Sequence, residues 1–534
     1  MVYNLFMTEG GGRIKVFLRR AGNTFLPVFA LGCLAGALSG AVVCLFNIGA
    51  EYLTEYSAQI YDWVYSHPAY IPLLFLVLAA LALAVALVQA RVPEVRGSGV
   101  PQTEGVMRGY FSFRKLRVFL ATALLSYISF FAGLPLGSEG PSIQLGATAA
   151  GGVAQGGRLR LSMHRYLISA GAGAGLAVAF NAPLTGLVFV LEEGQKKFTA
   201  SVFFISAAAI AVATLVYRAL RIAVFGVFSP HVFFDMSAVK TDVSDWNIYW
   251  LMLVLGVAAG LVAVLFNVLL IRSQKLTDRW GRRFPYPVRL LLAFLVTGAV
   301  GLIPAVKGAI FGGSALIKEL YADADIAWYI VMGVLLVKLV LITLCYDAGA
   351  TGGLFVPMLA MGALVGALTG KALIACGVSE QYYPMLVCVG MTAFFAAGVR
   401  TPITASVLIV EISGFSFDML PALIAVFVAY AAAQLCGNRP IYDSMLERQL
   451  RLNGANAPRA VHTLEVDVEK GSFIDGKHPS EIMFKPECRL LGIYRNGRPE
   501  TADLTVRGGD VLLLEVRSND LDGEYKYLFG LVKS

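Results

Sequence analysis

One carboxylate, Glu139, stands inside the run Gly137-Ser138-Glu139-Gly140-Pro141, between two stretches without charge, residues 118–136 and 141–157. In lipid such a group costs on the order of 2–3 kcal/mol or more, so it must face protein, water or an ion. The glycines and the proline mark a break in the chain followed by a helix start. Glu139 therefore falls near a helix N-terminus, where free N–H groups and the partial positive charge of the helix make a site for anions. A glutamate occupies a place that suits an anion.

Two further glycine-rich breaks carry the same chemistry. Gly97-Ser98-Gly99-Val100-Pro101 precedes a helix and offers a hydroxyl, and Gly353–Pro357 (Gly-Leu-Phe-Val-Pro) opens another. Alone, each run reads equally well as a plain helix-breaking turn; three of them, two related by an internal repeat, do not. Hydroxyls and backbone N–H groups hold an anion without a full positive charge, which would bind it too tightly for release. The apolar segments carry essentially no buried lysine or arginine, which leaves backbone dipoles as the expected ligands. The other carboxylates of the apolar segments are Glu192, Glu193 and Glu411. A proton relay needs carboxylates able to hold a proton near neutral pH, and Glu139 with Glu193 supplies one near each side. For Glu193, beside Lys196 and Lys197, the alternative is a solvated helix terminus. An intramembrane enzyme would need a nucleophile or metal ligands. The histidines (His67, His164, His231, His462, His478) lie in loops, at segment ends or in the tail, with no His-x-x-x-His spacing, so no catalytic or metal centre is expected.

The elements that position these residues follow from composition. Of 534 residues, 57% are hydrophobic and 15% charged, with a mean hydropathy of +0.70, well outside the range of soluble domains. A polytopic membrane protein is implied, with no cleavable signal expected. The net charge of +8 sits in short loops between apolar segments, so membrane topology explains it and a nucleic-acid partner is not expected. Seven scattered cysteines suggest neither disulfides nor a metal site. Apolar segments begin at about residue 24 and recur to about 436, several too short to span a bilayer. Short, Gly/Pro-interrupted segments are broken helices whose ends meet around a site. Loop 51–70 holds Glu51, Glu55 and Asp62 without Lys or Arg, whereas loop 91–117 holds Arg91, Arg96, Arg108, Arg114, Lys115 and Arg117. The positive-inside tendency puts the N-terminus and the basic loops 91–117 and 272–289 in the cytoplasm.

The chain repeats itself. Gly36, Gly40, Val42, Leu45, Phe46 and Asn47 recur 220 residues later as Gly256, Gly260, Val262, Leu265, Phe266 and Asn267. Gly137, Pro141, Gly146 and Ala147 recur at an offset of 216, and Gly171, Pro183, Thr185 and Glu192 recur at 219 as Gly390, Pro402, Thr404 and Glu411. The first copy of the Leu-Phe-Asn helix runs from a basic loop to an acidic one. The second runs from a loop with Asp235, Asp242 and Asp245 to a basic one, so the halves are inverted. Glu193 faces Ile412 across the repeat and breaks its symmetry. Inverted repeats with broken helices place a transport site at the repeat interface.

Gly97–Pro101, Gly137–Pro141, Gly353–Pro357, the run from Asn181 to Glu193, and Pro440-Ile441-Tyr442 resemble the chloride channel/transporter (CLC) family over about residues 15–452. The resemblance implies an all-α polytopic fold with inverted-topology repeats, assembled as a homodimer with an anion pathway in each subunit. It implies that Ser98 and Tyr442 supply hydroxyls to the central anion, joined by the backbone N–H groups of Leu354 and Phe355. Glu139 would be the gating carboxylate and Glu193 the internal proton-transfer glutamate of exchanging members. The implied activity is proton-coupled chloride antiport, with chloride and protons as cargo and no cofactor; a passive chloride channel of the same fold is the alternative. One departure is Ser138, where the family usually has Lys or Arg, a change that would weaken the positive potential of the outer mouth.

Domains are expected at 1–20 (cytoplasmic leader), 21–452 (membrane domain, repeats about 24–227 and 247–436), 453–459 (linker) and 460–534. The last segment has soluble character, with strands near 461–468, 488–495 and 510–517 and a tight turn at Arg507-Gly508-Gly509-Asp510. It resembles the C-terminal subdomain of TrkA/RCK-type potassium-uptake regulators. That implies a small α/β cytoplasmic domain that dimerises and binds a small effector, or else a passive clamp. Both termini are expected in the cytoplasm of a multi-pass protein of a bacterial inner membrane.

Overall fold

The computed structural model describes residues 26–110, 115–156, 161–196, 198, 200–226, 245–280, 284–412, 419–453, 461–482, 484–486, 488–495, 498–501, 503–517, 527–528 and 530–532. The leader, most of the linker, Lys197, Asp235 and Asp242 lie outside them.

Helices dominate: α1 Leu26–Ser66, α2 Ile71–Arg91, α3 Val100–Met107, α4 Lys115–Phe131, α5 Glu139–Gly156, α6 Leu161–Phe180, α7 Pro183–Phe189 and α8 Ala200–Phe225. The second half contributes α9 Trp246–Trp280, α10 Tyr286–Gly301, α11 Ser314–Ala322, α12 Trp328–Asp347, α13 Phe355–Ala375, α14 Tyr383–Val399, α15 Pro402–Ile412, α16 Met419–Leu435 and α17 Ile441–Asn453. Seven of the described helices are long and apolar enough to cross a membrane, and shorter apolar helices such as Pro402–Ile412 accompany them. The chain is a multi-pass membrane protein.

The repeat is built from glycine contacts. A Cβ on Gly36 would come within 2.1 Å of the Ala209 carbonyl oxygen, and one on Gly256 within 2.7 Å of that of Ala425. Hence α1 lies on α8 as α9 lies on α16, with backbones close enough that only glycine fits. Likewise a Cβ on Gly146 would come 2.2 Å from the Gly171 oxygen, and one on Gly362 2.4 Å from that of Gly390, which sets α5 on α6 and α13 on α14.

Three helices differ from the sequence reading. The expected loop 51–70 is largely helix, since α1 continues to Ser66. No glycine or proline interrupts residues 50–67, and the Ser57 and Tyr61 hydroxyls donate to the carbonyls of Phe131 (2.7 Å) and Ala132 (2.9 Å), tying the extension to the end of α4. Helix α9 also outruns its apolar segment, to Trp280. There Arg448 of α17 donates to Asp278 at 2.9 Å. Helix α11 was not expected, because it has only nine residues and these include Lys318 and Glu319, so it is not an apolar segment.

The tail is a four-stranded antiparallel sheet, β1 Val461–Asp467, β2 Cys488–Arg495, β3 Arg498–Glu500 and β4 Val511–Arg517, in the order β1-β4-β2-β3. Val466, Ile493, Leu512, Leu514 and Val516 form its own core. The three expected strands are present; β3 is too short to show in the sequence pattern. The turn before β4 is fixed by Gly509 in a left-handed conformation (φ 97°). Buried Asp510 accepts from the Arg507 backbone N–H at 2.8 Å and from the Arg495 guanidinium at 2.9 and 2.8 Å.

Burial pushes the Asp510 carboxyl up, but the Arg495 hydrogen bonds and charge more than offset it and leave it below the ordinary value. A group lowered on folding stabilises fully above its unfolded pKa, near pH 4, and loses that contribution as pH falls through the folded one. Asp510→Asn in the full chain is therefore expected to loosen the tail by about 1–3 kcal/mol at neutral pH. Amide exchange in β1 and β4 should report the loss, and the variant should converge on the wild type in acid.

Candidate functional site

Three chain breaks meet at the centre of the membrane domain. The Gly137 N–H donates to the Gly353 carbonyl at 2.8 Å and the Gly353 N–H to that of Gly137 at 2.6 Å, an antiparallel bridge that joins the two repeats. The Gly352 N–H reaches the Gly97 carbonyl at 3.1 Å and brings in the third break. Contact is too close for side chains. A Cβ on Gly140 would lie 2.0 Å from the Ser98 oxygen and 2.8 Å from the Gly353 Cα. Gly99 caps α3 with φ 84°, which only glycine adopts freely. Helix starts at Val100, Glu139 and Phe355 thus converge.

Their side chains leave donors without partners. Ser98 and Tyr442 are buried, 2% and 0% exposed, and neither hydroxyl has a hydrogen-bond partner in the structure. Buried hydroxyls are nearly always satisfied, so these two stand out from the rest of the core. The Tyr442 hydroxyl lies in the field of Tyr346, Glu139, Glu193 and Glu104, and Tyr346 donates to the Gly352 carbonyl at 2.9 Å.

Glu139, 2% exposed, lies across this junction. Its carboxylate receives the Ser138 hydroxyl at 3.4 Å and faces the N–H groups of its own residue and of Val356, in the first turn of α13. The side chain folds so closely over Gly137 that a Cβ there would come 2.2 Å from Oε2. A carboxylate therefore sits where the N-terminus of the partner helix would receive an anion. On the other side of Glu139 a cavity of about 900 Å³ opens, walled by Ser138, Asn47, Phe311, Lys307 and Lys318 among others.

Glu193 is 1% exposed, which removes the solvated-terminus alternative. It sits in a π-helical turn, Val190–Gly194, that follows α7. Beside it is Glu104 of α3, 0% exposed, which sequence reasoning missed. Glu192 and Glu411, by contrast, are symmetric caps. Glu192 accepts from the backbone N–H groups of Ile403 (3.0 Å) and Thr404 (2.7 Å), and Glu411 from those of Leu184 (2.9 Å) and Thr185 (2.6 Å). Each satisfies the free N–H groups at the start of the other repeat's helix, α15 or α7.

The structure brings Ser98, Tyr442, Leu354, Phe355 and Glu139 to one junction, with Glu193 beyond it. The N–H of Val356 faces the carboxylate; the repeat offset of 216 sets Phe355, not Val356, in register with Glu139, so the sequence did not single out Val356. One expectation fails. The membrane segments do hold a buried base, Lys338 in the middle of α12, 0% exposed. Its ammonium donates to the carbonyls of Ala309 (3.2 Å) and Phe311 (3.1 Å) and backs onto Gly313. It is held by the loop behind the outer cavity, so the dipoles still face the junction directly.

Residues 80–434 match the family model described as voltage gated chloride channel. The chain is 30% identical over 448 residues to an H(+)/Cl(-) exchange transporter ClcA of Yersinia pestis bv. Antiqua (strain Angola), covering 82% of this chain and 91% of the relative. The same identity holds over 462 residues with the H(+)/Cl(-) exchange transporter ClcA of Salmonella paratyphi A (strain ATCC 9150 / SARB42), 84% of this chain and 95% of that one. Among solved structures, a slow cyanobacterial Cl-/H+ antiporter superposes with a TM-score of 0.71 at 25% identity, over 80% of this chain and 99% of the other. A CLC-type fluoride/proton antiporter shares the fold, with a TM-score of 0.64 at 22% identity over 79% of this chain and 98% of that one.

Gly140→Ala should break the junction, since backbone on both sides must shift to admit the methyl. A destabilisation of about 1–3 kcal/mol is expected, with calorimetric halide binding lost. Gly152→Ala, where nothing lies within 4 Å of the added Cβ, should change neither.

Proposed function

The chain belongs to the voltage-gated chloride channel family, and from that premise we propose that it is a proton-coupled chloride antiporter gated by Glu139. The observation that carries this reading is the Glu139 carboxylate lying over the N-terminus of α13, beside the unpartnered hydroxyls of Ser98 and Tyr442.

Ionised, Glu139 takes the N–H groups that a chloride entering from outside would need. Protonated, it loses the charge that those dipoles hold, swings aside and admits the anion. One proton-bearing state thus alternates with one anion-bearing state. At the central position the Ser98 and Tyr442 hydroxyls and the N–H groups near Leu354, Phe355 and Val356 bind chloride without a full positive charge, which keeps release fast. Glu193 takes the proton toward the cytoplasm, buried and displaced from the anion junction, so the two cargoes part on that side. Chloride and protons are the cargo and no cofactor takes part.

Because the junction is assembled within one chain, each subunit of a homodimer would hold a complete pathway. The charge bias of the loops supports cytoplasmic termini, an inner-membrane location, and residues 21–452 as the membrane domain. Residues 460–534, after a linker at 453–459, have their own sheet and core, which supports a regulatory domain of the TrkA/RCK C-terminal type that binds a small effector. Removing 460–534 should then abolish the response of transport to that effector or weaken dimerisation; unchanged flux, response and oligomeric state would exclude both roles.

The central test is ion flux in proteoliposomes under a chloride gradient. Proton uptake against the chloride gradient is expected. Chloride flux without proton movement would leave the passive channel as the function. Glu139→Ala should end both proton coupling and the pH dependence of chloride flux, and Glu193→Ala should reduce proton flux by about tenfold or more. Unchanged proton transport in the second variant would make that carboxylate structural.

A further inference from the structure

Around Glu193 stands a cluster that the antiport mechanism above does not use. One carboxylate oxygen each from Glu104, Glu193 and Asp443 lie within 4.8 Å of one another. Glu104 and Glu193 are buried, and both Glu104 oxygens and Oε1 of Glu193 have no hydrogen-bond partner in the structure. Asp443 differs: 29% of its side chain is exposed, and it follows Tyr442 in the first turn of α17.

Two cations bind the three acids together. Arg108 pairs with Asp443 at 3.2 Å and with Glu104 at 3.7 Å, and it also donates to the backbone carbonyl of Glu193 at 3.0 Å. Lys196 pairs with Asp443 and, at 3.8 Å, with Glu193. Among the described residues, other charged groups near the cluster are engaged elsewhere. A second cavity of about 340 Å³ is lined by Glu193, Lys196, Glu192 and Arg400. There Glu192 caps α15, and Arg400 donates to the carbonyls of Ala433 (2.9 Å) and Asn438 (2.7 Å). The groups that face one another are thus Glu104 and Arg108 from α3, Glu193 and Lys196 from the turn after α7, and Tyr442 and Asp443 from α17.

Three carboxylates against two cations leave one negative charge without a counter-ion. In a largely buried cluster an uncompensated charge is costly, and a single proton removes it. We propose that Glu104, Glu193 and Asp443 form one proton-loading unit on the cytoplasmic side, holding one proton at a time, with Asp443 as its solvent-facing entry and Glu104 as the buried partner that shares the proton with Glu193. A proton from cytoplasmic water bonds to an Asp443 oxygen and passes, directly or through one water, to an oxygen of Glu193 or Glu104, returning Asp443 to its ion pairs. In this direction of exchange the proton then leaves Glu193 toward Glu139, and the same steps reversed deliver an inbound proton to the cytoplasm. Arg108 and Lys196 position the acids and set the charge balance at one. The proposal rests on the antiport reading.

The test is the ratio of proton to chloride flux for the full-length protein in proteoliposomes. Asp443→Asn brings acids and bases into balance without a proton, and the ratio should fall by about tenfold or more. Asp443→Glu should keep it. Adding Lys196→Gln to Asp443→Asn restores one uncompensated negative charge and should raise the ratio part of the way, the proton then reaching Glu193 from the cavity that it lines beside residue 196. If Asp443 served only as an ion-pair partner, removing Lys196 as well would damage the site further. A wild-type ratio in Asp443→Asn, or a ratio in the double variant no higher than in Asp443→Asn, overturns the proposal alone. Absence of proton movement in the wild type overturns the antiport reading and the proposal with it.

Discussion

Two helix starts that face each other across one pair of hydrogen bonds constrain everything else in the membrane domain. The bridge between Gly137 and Gly353 leaves no room for side chains, so the N-termini of α5 and α13 point their free N–H groups into a common space. Non-helical backbone within a membrane domain must be buried in protein or face water. That demand explains the glycine contacts that press α5 onto α6 and α13 onto α14: they bring the helices close enough to wall off the junction. The Ser98 loop closes the third side through Gly97 and Gly352.

Much of this was legible in the sequence, because glycine is the signal and glycine positions repeat. Gly36 and Gly256, or Gly146 and Gly362, are the places where the backbone of a neighbouring helix arrives, so the repeat in sequence is a repeat of contacts. What could not be read were features that depend on the third dimension. Ser57 and Tyr61 look like loop residues until the end of α4 supplies the carbonyls they need. Glu104 and Asp443 stand 339 residues apart in the sequence, and only the folding of α17 against α3 makes them neighbours. Lys338 was visible in its apolar segment, but a single lysine there reads as an exception until its carbonyl partners at Ala309 and Phe311 explain how it is accommodated.

The acids divide by symmetry. Glu192 and Glu411 repeat in sequence and repeat in geometry, each closing the first turn of a helix from the opposite half together with a threonine hydroxyl, Thr404 or Thr185. Their oxygens are fully engaged, which suits a structural role. Glu139 and Glu193 have no acidic counterpart in the other half, and each keeps an oxygen without a partner. A structural glutamate completes its hydrogen bonds; a working one has to be able to leave or to take a proton.

The placement of positive charge follows the same logic. An ammonium or guanidinium in contact with the anion would deepen its well and slow its release. Lys338 is fastened behind the outer loop by two carbonyls, and Arg108 and Lys196 are tied to carboxylates. At the junction itself the nearest position where a base would be expected, residue 138, is a serine whose hydroxyl turns to Glu139. Among the described residues, the proposed anion pathway is thus left to dipoles and hydroxyls, and the full charge at the junction is that of the Glu139 carboxylate. Protonation would abolish that charge, and the proposed gate ties entry of the anion to the state of a single proton in this way.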